Sequence, residues 1–436
     1  MLGLLSALVD KNLAVLEEDE KGQGRYRLLE TVRQYAGERL ASSGDGDGYH
    51  CRHRDYFLAL AEEAKEALGG PQQAHWLDVL ESEHDNLRRA ITFCLEEEAR
   101  GELVEGDKGL RLGWALQRFW GTRGYLGEGR ERLAALLSHP LAQARTRARA
   151  GALLGAGNLA ESQGDFTSAR SLFAESLAIR REVGDRSGIA ASLNSLGNLA
   201  STRGDHDSAR SLYEESLAIR RESGDKNGTA TCLNNLGFSA FYRGAAAAEV
   251  LYEQSLAIYR ELGKKNSIAT CLTNLGGLAV LRGDFMRARA LYEEGLLLNK
   301  QLGLKGDMIL GALGDLAARE GRDAEARRLW HACLREQKEV GNRAGIIICL
   351  EGIAVVALSG KSSSPDVAVR LLGAAASVRE EIGFPRAPRD QAEYDGQVAA
   401  AHQALGEEAF AAAFAQGRAM SLEQALAYAL EESGNV

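Results

Sequence analysis

Several short segments combine residue types that do chemistry, and each fits a known kind of site only in part. Gly360-Lys-Ser362 ends like a phosphate-binding loop, but Val355 stands where the first glycine of that loop belongs. Asp45 and Asp47 resemble the start of a calcium loop, but Tyr56 occupies the position of its bidentate glutamate. We therefore expect a helix-end loop at the first segment and a linker at the second.

The remaining chemical patterns are incomplete in the same way. His50, Cys51 and His53 lie close together, but no second pair of ligands follows at zinc spacing. The glycines between 121 and 129 lack the preceding strand that a dinucleotide-binding turn needs, so we interpret them as helix ends. Local context marks no Ser/His/Asp or Cys/His set. We predict a protein that is not an enzyme and has no catalytic residues, metal or cofactor.

The middle of the chain is dominated by an internal repeat. A glycine followed seven residues later by another glycine occurs five times, and the register advances by 40, 40, 39 and 38 residues. A period of this size is typical of a helix pair that stacks on copies of itself to bury its apolar face. The first glycines of the five pairs are Gly157, Gly197, Gly237, Gly276 and Gly314.

The pattern inside one unit predicts two helices joined by a tight turn. Leu193, Leu196 and Ala200 follow the i, i+3, i+7 spacing of a helix face. Gly204 can adopt the left-handed conformation that ends a helix, and Asp205 can cap the next one. Small residues alternate with bulky rings along the unit, which predicts close helix packing.

The spacing of small and aromatic residues is similar to the tetratricopeptide repeat (TPR), in a lengthened form of about 40 residues. After the first glycine come an alanine, an aromatic ring and a small residue at nearly fixed intervals. The five matching sets are Gly157/Ala169/Phe173/Ser176, Gly197/Ala209/Tyr213/Ser216, Gly237/Ala248/Tyr252/Ser255, Gly276/Ala288/Tyr292/Gly295 and Gly314/Ala326/Trp330/Cys333. The resemblance implies an all-α fold, a right-handed TPR-like α-solenoid. The family's repeat-end proline is missing throughout.

The same resemblance implies a binding groove lined by the first helix of each unit. Asn194, Asn198 and Ser201 support this independently, since their spacing places them on a face turned away from Leu193. We predict a groove with an amide-rich half and an apolar half. By position, its residues are Asn158, Glu161, Asn194, Asn198, Ser201, Thr202, Asn234, Phe238, Phe241, Tyr242, Thr273, Val280, Leu281, Asp315 and Arg319. The alternative for the aromatic members is that they pack between helices as core.

The flanking segments resemble the sensor region of large bacterial LuxR-type and related regulators. Residues 4–40 predict helix, hairpin and helix, like the back half of a winged helix. Residues 76–96 and 369–385 are similar to other parts of the same region. In those regulators a STAND/NB-ARC ATPase module leads through a winged helix into TPR repeats. We expect neither the ATPase module nor a helix-turn-helix here, and so a truncated or stand-alone sensor piece.

This resemblance suggests four parts of the chain. We expect a partial winged-helix linker at 1–42, degenerate helical repeats at 50–140, the regular array at 141–345, and a divergent repeat with capping helices at 346–436. Residues 41–48 are rich in glycine and serine, which predicts a flexible link between the first two parts.

Composition limits the partners. The net charge of −9 argues against nonspecific binding to nucleic acid or to an anionic membrane. No apolar run is long enough to span a membrane, and no basic segment precedes the first apolar residues. The six cysteines form no CxxC pair, and Cys232 and Cys271 share one repeat position, which predicts small buried side chains. A cytoplasmic protein fits these features.

We therefore expect a protein interaction scaffold that holds a protein or peptide segment in its groove. Two alternatives remain open. The array could bind a small-molecule inducer, or it could act as an oligomerisation segment that forms a homo-oligomer through its leucine-rich first residues.

Overall fold

A computed structural model describes residues 2–18, 24–70, 72–99, 107–241, 245–303, 308–359, 364–384, 386 and 388–431. Within these residues the chain forms 22 α-helices, one short 3-10 helix and a single two-stranded antiparallel sheet. The protein is an all-α solenoid, as the repeat predicted.

The N-terminal unit consists of α1 (Leu2–Asp10), β1 (Ala14–Glu18), β2 (Gly24–Leu28) and α2 (Glu30–Ser43). The next helices are α3 (Gly46–Ala67), α4 (Gln73–Ser82), α5 (His84–Ala99), α6 (Lys108–Arg123) and α7 (Leu126–Ser138), followed by the 3-10 helix Pro140–Gln143. The regular array contains α8 (Arg147–Ser162), α9 (Phe166–Glu182), α10 (Arg186–Thr202), α11 (His206–Glu222), α12 (Lys226–Phe241), α13 (Ala245–Glu261), α14 (Lys265–Leu281), α15 (Phe285–Gln301), α16 (Ile309–Arg319) and α17 (Asp323–Glu339). The chain continues with α18 (Arg343–Ser359), α19 (Pro365–Glu381), α20 (Pro388–Leu405), α21 (Glu407–Arg418) and α22 (Leu422–Glu431).

The turn between paired helices has the predicted chemistry. Gly204 adopts a φ of +79°, a conformation that costs little without a Cβ. The Asp205 side chain then accepts a hydrogen bond of 3.1 Å from the Ser208 backbone N–H and caps α11. The same carboxylate cap recurs at Asp165 and Asp284. In these three helix pairs the turn therefore has the glycine and aspartate that the sequence pattern predicted, whereas α17 begins after Arg322 without a side-chain cap.

The small and large residues of the repeat meet as predicted. A Cβ added at Gly197 would lie only 2.5 Å from a ring carbon of Tyr213, so the glycine allows α10 and α11 to approach closely. Tyr213 is 2% exposed, and Ala209 beside it is fully buried. Gly157 faces Phe173 in the same way. Cys232 and Cys271 are also buried, which confirms their interpretation as core residues.

The stack curves toward one side. The first helices of successive pairs (α8, α10, α12, α14, α16 and α18) contact one another directly, whereas the second helices are held mainly by their own partners. A curved stack brings its elements closest together on the concave side. The first helices, together with α6 before them, therefore form the inner wall of the solenoid, which we call the inner groove.

The solenoid winds back onto itself. The Lys264 Nζ, just before α14, donates a 2.9 Å hydrogen bond to the carbonyl oxygen of Gly69, which follows α3. Phe384, after α19, packs against Phe166 at the start of α9, with ring centroids 6.3 Å apart. Ten or eleven helices separate the partners in each contact. One superhelical turn is therefore completed in about five helix pairs, and neighbouring turns touch.

The N-terminal unit has the predicted order of helix, hairpin and helix. In the hairpin, Leu16 pairs with Tyr26, and Arg25 donates to Glu83 at 3.0 Å at the start of α5. The predicted flexible link at 41–48 is wrong. Helix α2 continues to Ser43 and α3 begins at Gly46, so only a left-handed residue, Gly44, interrupts the helical backbone.

Candidate functional site: the inner groove

A row of side-chain amides connects the first helices along the inner groove. The Asn235 Nδ2 on α12 donates to the Oδ1 atoms of Asn194 and Asn198 on α10, at 3.0 Å each. Asn198 also accepts from the Tyr213 hydroxyl at 2.9 Å. The amides therefore link one repeat to the next while remaining at the groove surface.

The row extends in both directions. The Asn274 Nδ2 on α14 donates to the Asn234 Oδ1 on α12 at 3.0 Å. At the other end, the Asn158 Nδ2 on α8 donates to the Gln117 Oε1 on α6 at 3.3 Å. We call this set the amide ladder; its members are Gln117, Asn158, Asn194, Asn198, Asn234, Asn235 and Asn274.

The ladder keeps unused hydrogen-bonding capacity. Among the described residues, no protein group bonds to the NH2 groups of Asn194, Asn198 and Asn234. In the same part of the chain, no protein group donates a hydrogen bond to the side-chain carbonyl oxygens of Asn235 and Asn274. Each amide supplies both donors and acceptors. The surface thus offers both kinds of partner that a peptide backbone requires.

A carboxylate stands at the beginning of the ladder. Glu161 lies in the last turn of α8, three residues after Asn158. It is half-buried, and burial raises the pKa of its carboxyl group to about 7. At the equivalent position of α10, Ser201 is buried, and Thr202 beside it is half-buried.

The predicted apolar half of the groove is divided between surface and core. Phe238 and Leu281 are exposed, at 39% and 38%. Phe241 and Val280 are half-buried and pack against the cores of neighbouring helix pairs, so these two side chains also serve as core. Tyr242 lies outside the described residues. Thr273 is half-buried, and its hydroxyl donates to the Ala269 carbonyl oxygen of its own helix at 2.9 Å.

Asp315 and Arg319 lie in a pocket of about 470 Å3 at the C-terminal end of the groove, between α16, α18 and α20. The Arg319 guanidinium donates to the Asp315 carboxylate at 2.8 Å and to Glu393 on α20 at 3.1 Å. The two predicted groove residues therefore bond to each other, and Arg319 is also held by a helix that the repeat pattern did not assign to the groove.

The opposite wall of this C-terminal pocket carries a second group of paired charges. Glu351 on α18 accepts hydrogen bonds from Arg379, at 2.8 Å, and from Arg386. The Arg386 guanidinium lies 3.4 Å from the centroid of the Tyr394 ring. Trp330 also lines the pocket. Aromatic walls with a few convergent polar groups are typical of small-ligand sites.

Sequence reasoning missed several of these residues. Asn235 and Asn274 follow predicted groove positions directly, and asparagine is unfavourable in a helix interior unless its amide is used. The Asn234-Asn235 pair in mid-helix was therefore an available signal. Arg379, Arg386 and Tyr394 lie beyond the five predicted repeats, on or next to helices α19 and α20 that pack against α18, so the repeat spacing did not mark them.

Two further features bear on the chemistry of the described residues. No group of three or more His, Cys, Asp or Glu side chains is arranged to hold a metal ion. No helix in this part of the chain is long and apolar enough to cross a membrane.

The stacked helix pairs and the groove along their first helices are those of a TPR-like solenoid. Residues 149–222 and 228–300 match the tetratricopeptide repeat family, so the chain contains TPR repeats. Over 202 residues it is 37% identical to a protein of Mycobacterium tuberculosis that carries the name of a helix-turn-helix-type transcriptional regulator. The match covers 45% of this chain and 22% of the relative, so the chain spans about a fifth of the length of the curated relatives it matches.

Two solved structures share the fold. A Rap protein complexed with competence and sporulation factor superimposes with a TM-score of 0.59 at 13% identity, covering 86% of this chain and 99% of that chain. A signal transduction ATPase with numerous domains (STAND) from Pyrococcus horikoshii, which has a TPR sensor, gives a TM-score of 0.51 at 15% identity. That superposition covers 98% of this chain and 60% of the other.

Proposed function

We propose that this chain is a non-enzymatic interaction scaffold that binds an extended protein or peptide segment along its inner groove. The amide ladder carries the proposal, because its unoccupied NH2 and C=O groups can bond to a peptide backbone of any sequence. A backbone held by regularly placed side chains loses little of its hydrogen bonding when it leaves water.

The setting of this scaffold is also a proposal. The regulator name of the mycobacterial relative and the sensor in the STAND structure support a role as the regulatory part of a bacterial signalling protein. The Rap structure, which shares the fold and is complexed with competence and sporulation factor, supports a binding function for this solenoid. In this proposal residues 1–42 form a linker resembling part of a winged helix, and the protein works in the cytoplasm without contacting nucleic acid directly.

The test uses affinity selection from a library of random hexapeptides with free amino termini. We expect the wild-type protein to retain a set of peptides and the N234A/N235A double variant to bind them about tenfold more weakly, since two or more hydrogen bonds are lost. N227A is the matched control: Asn227 is exposed on the same helix, α12, and lies outside the ladder. Unchanged affinity of N234A/N235A, or no peptide retained by the wild type, contradicts the proposal.

A small-molecule ligand is the second candidate, favoured by the C-terminal pocket. Its volume of about 470 Å3 suits a compact ligand. Its three guanidinium groups are matched by three carboxylates, so a neutral or zwitterionic molecule fits best. A thermal-shift screen of metabolites tests this candidate, because a ligand that binds only the folded state raises the melting temperature.

A homo-oligomer formed through the N-terminal unit is the third candidate. Leu4 and Tyr35 are 73% and 58% exposed, and Leu16 and Leu29 are also exposed on the same unit. Exposed apolar residues on one small unit favour contact with another copy or another domain.

A further inference from the structure

Glu161 differs from the other acidic side chains of the inner groove in having no partner. Asp315 and Glu393 are held by Arg319, and Glu351 is held by two arginines. The Glu161 carboxylate makes no hydrogen bond and no ion pair within the described part of the chain. Its negative charge is therefore uncompensated.

Its location is specific. Glu161 and Asn158 share one face of α8, and Asn158 belongs to the amide ladder. Burial, and then the nearby charge of Glu161, raise the pKa of the Tyr213 hydroxyl on α11. That hydroxyl donates to Asn198, another ladder member. The carboxylate therefore stands beside the amides that we assign to the peptide backbone.

A half-buried carboxylate without a partner is unfavourable, because burial removes water from the charged form. The pKa of about 7 reflects this penalty. A cation placed beside the carboxylate restores the lost stabilisation, whereas a neutral group leaves the penalty in place. Binding of a positively charged ligand group is therefore favourable beside the Glu161 carboxylate.

We propose that Glu161 binds a positively charged group of the ligand, either the amino terminus of a peptide or a lysine or arginine side chain. This inference rests on the proposed function, because the ligand backbone is assigned to the amide ladder. It adds a charge requirement and a fixed position: the cationic group lies at the α8 end of the ladder, and the remaining chain extends toward α14.

A metal ion is a weaker occupant for this carboxylate. Hard divalent cations require several oxygen ligands, and no cluster of three metal-binding side chains exists among the described residues. An organic cation with one or two N–H donors matches a single carboxylate better.

The test compares three proteins in the same random hexapeptide selection: wild type, E161Q and E253Q. Glu253 is the matched control, since it lies on α13, a second helix outside the groove, with a side chain 55% exposed. We expect wild type and E253Q to enrich peptides with lysine, arginine or a required free amine at one position. E161Q should bind those peptides at least about tenfold more weakly, as expected for the loss of a charge-assisted bond.

Two further measurements assign the source of the charge and check the fold. Acetylating the amino terminus of the selected peptides should weaken binding about tenfold if the terminus is the cation, and should have little effect if a side chain is. E161Q should melt at or above the wild-type temperature, since it removes an unfavourable charge.

The outcomes separate the two proposals. If wild type retains peptides but E161Q retains the same peptides with unchanged affinity, the Glu161 inference is overturned and peptide binding stands. Retained peptides without any basic preference overturn it equally. If the wild type retains no peptides at all, both proposals fail together.

Discussion

Gly276→Ala is expected to destabilise the array strongly, whereas Gly277→Ala, one residue further along α14, is not. A Cβ at Gly276 would lie 2.4 Å from a ring carbon of Tyr292, and Tyr292 is 4% exposed and cannot move aside. Overpacking of this kind costs about 3 kcal/mol. A Cβ at Gly277 meets its nearest neighbour at an ordinary 3.9 Å, so the gain in helix propensity should stabilise the protein by about 1 kcal/mol.

Urea unfolding combined with amide hydrogen exchange measures this difference. Stacked repeats can unfold in parts, so the urea midpoint of the whole protein averages over all repeats. Amide hydrogen exchange in α14 and α15 reports the local change in stability. Equal stability changes in the two variants would contradict the packing between Gly276 and Tyr292.

Asp185→Ala is the second substitution with a large expected effect. The Asp185 Oδ1 caps α10 by accepting the Gly188 N–H at 3.1 Å, and its Oδ2 lies 3.1 Å from Arg180, whose side chain is 3% exposed. Removing the carboxylate leaves a buried guanidinium without its partner, at a cost of about 3 kcal/mol or more. The cap contributes about 1 kcal/mol in addition.

Asp205→Ala supplies the control for this experiment. Asp205 makes the same cap on α11, and it lies on the surface without a buried arginine. We expect a loss of about 1 kcal/mol, as for a cap alone. The double variant R180M/D185A should recover part of the loss, because the buried charge is gone. Similar losses for D185A and D205A, or no recovery in the double variant, would show that the buried ion pair contributes little.

The sequence predicted what depends on neighbours within one repeat. Helix pairs, left-handed glycines such as Gly204, caps such as Asp205 and contacts such as Gly197 with Tyr213 are all local, and all are confirmed. The flexible link at 41–48 is wrong because a glycine-rich composition does not prevent the helices on both sides from extending into the segment.

Contacts that depend on the rotation added from one helix pair to the next were not predictable from the sequence. The contact of Phe384 with Phe166 depends on a small rotation at each of about five helix interfaces, and the repeat period does not encode that angle. The C-terminal pocket combines Arg319 with Glu393 on α20, a helix outside the five repeats, so the repeat spacing did not predict that contact. The position of Phe241 was ambiguous because one face of a groove helix also borders the core.

The helix pairs wind into a closed turn around the inner groove. Double electron–electron resonance tests it directly, with spin labels at Gln72 and Asn266, two exposed positions next to the contact of Gly69 with Lys264. Cys51 is replaced by serine beforehand, since the other five cysteines are buried. We predict a narrow distribution at the short end of the measurable range. A broad distribution at long distances would mean that the turns do not touch and that the groove is open.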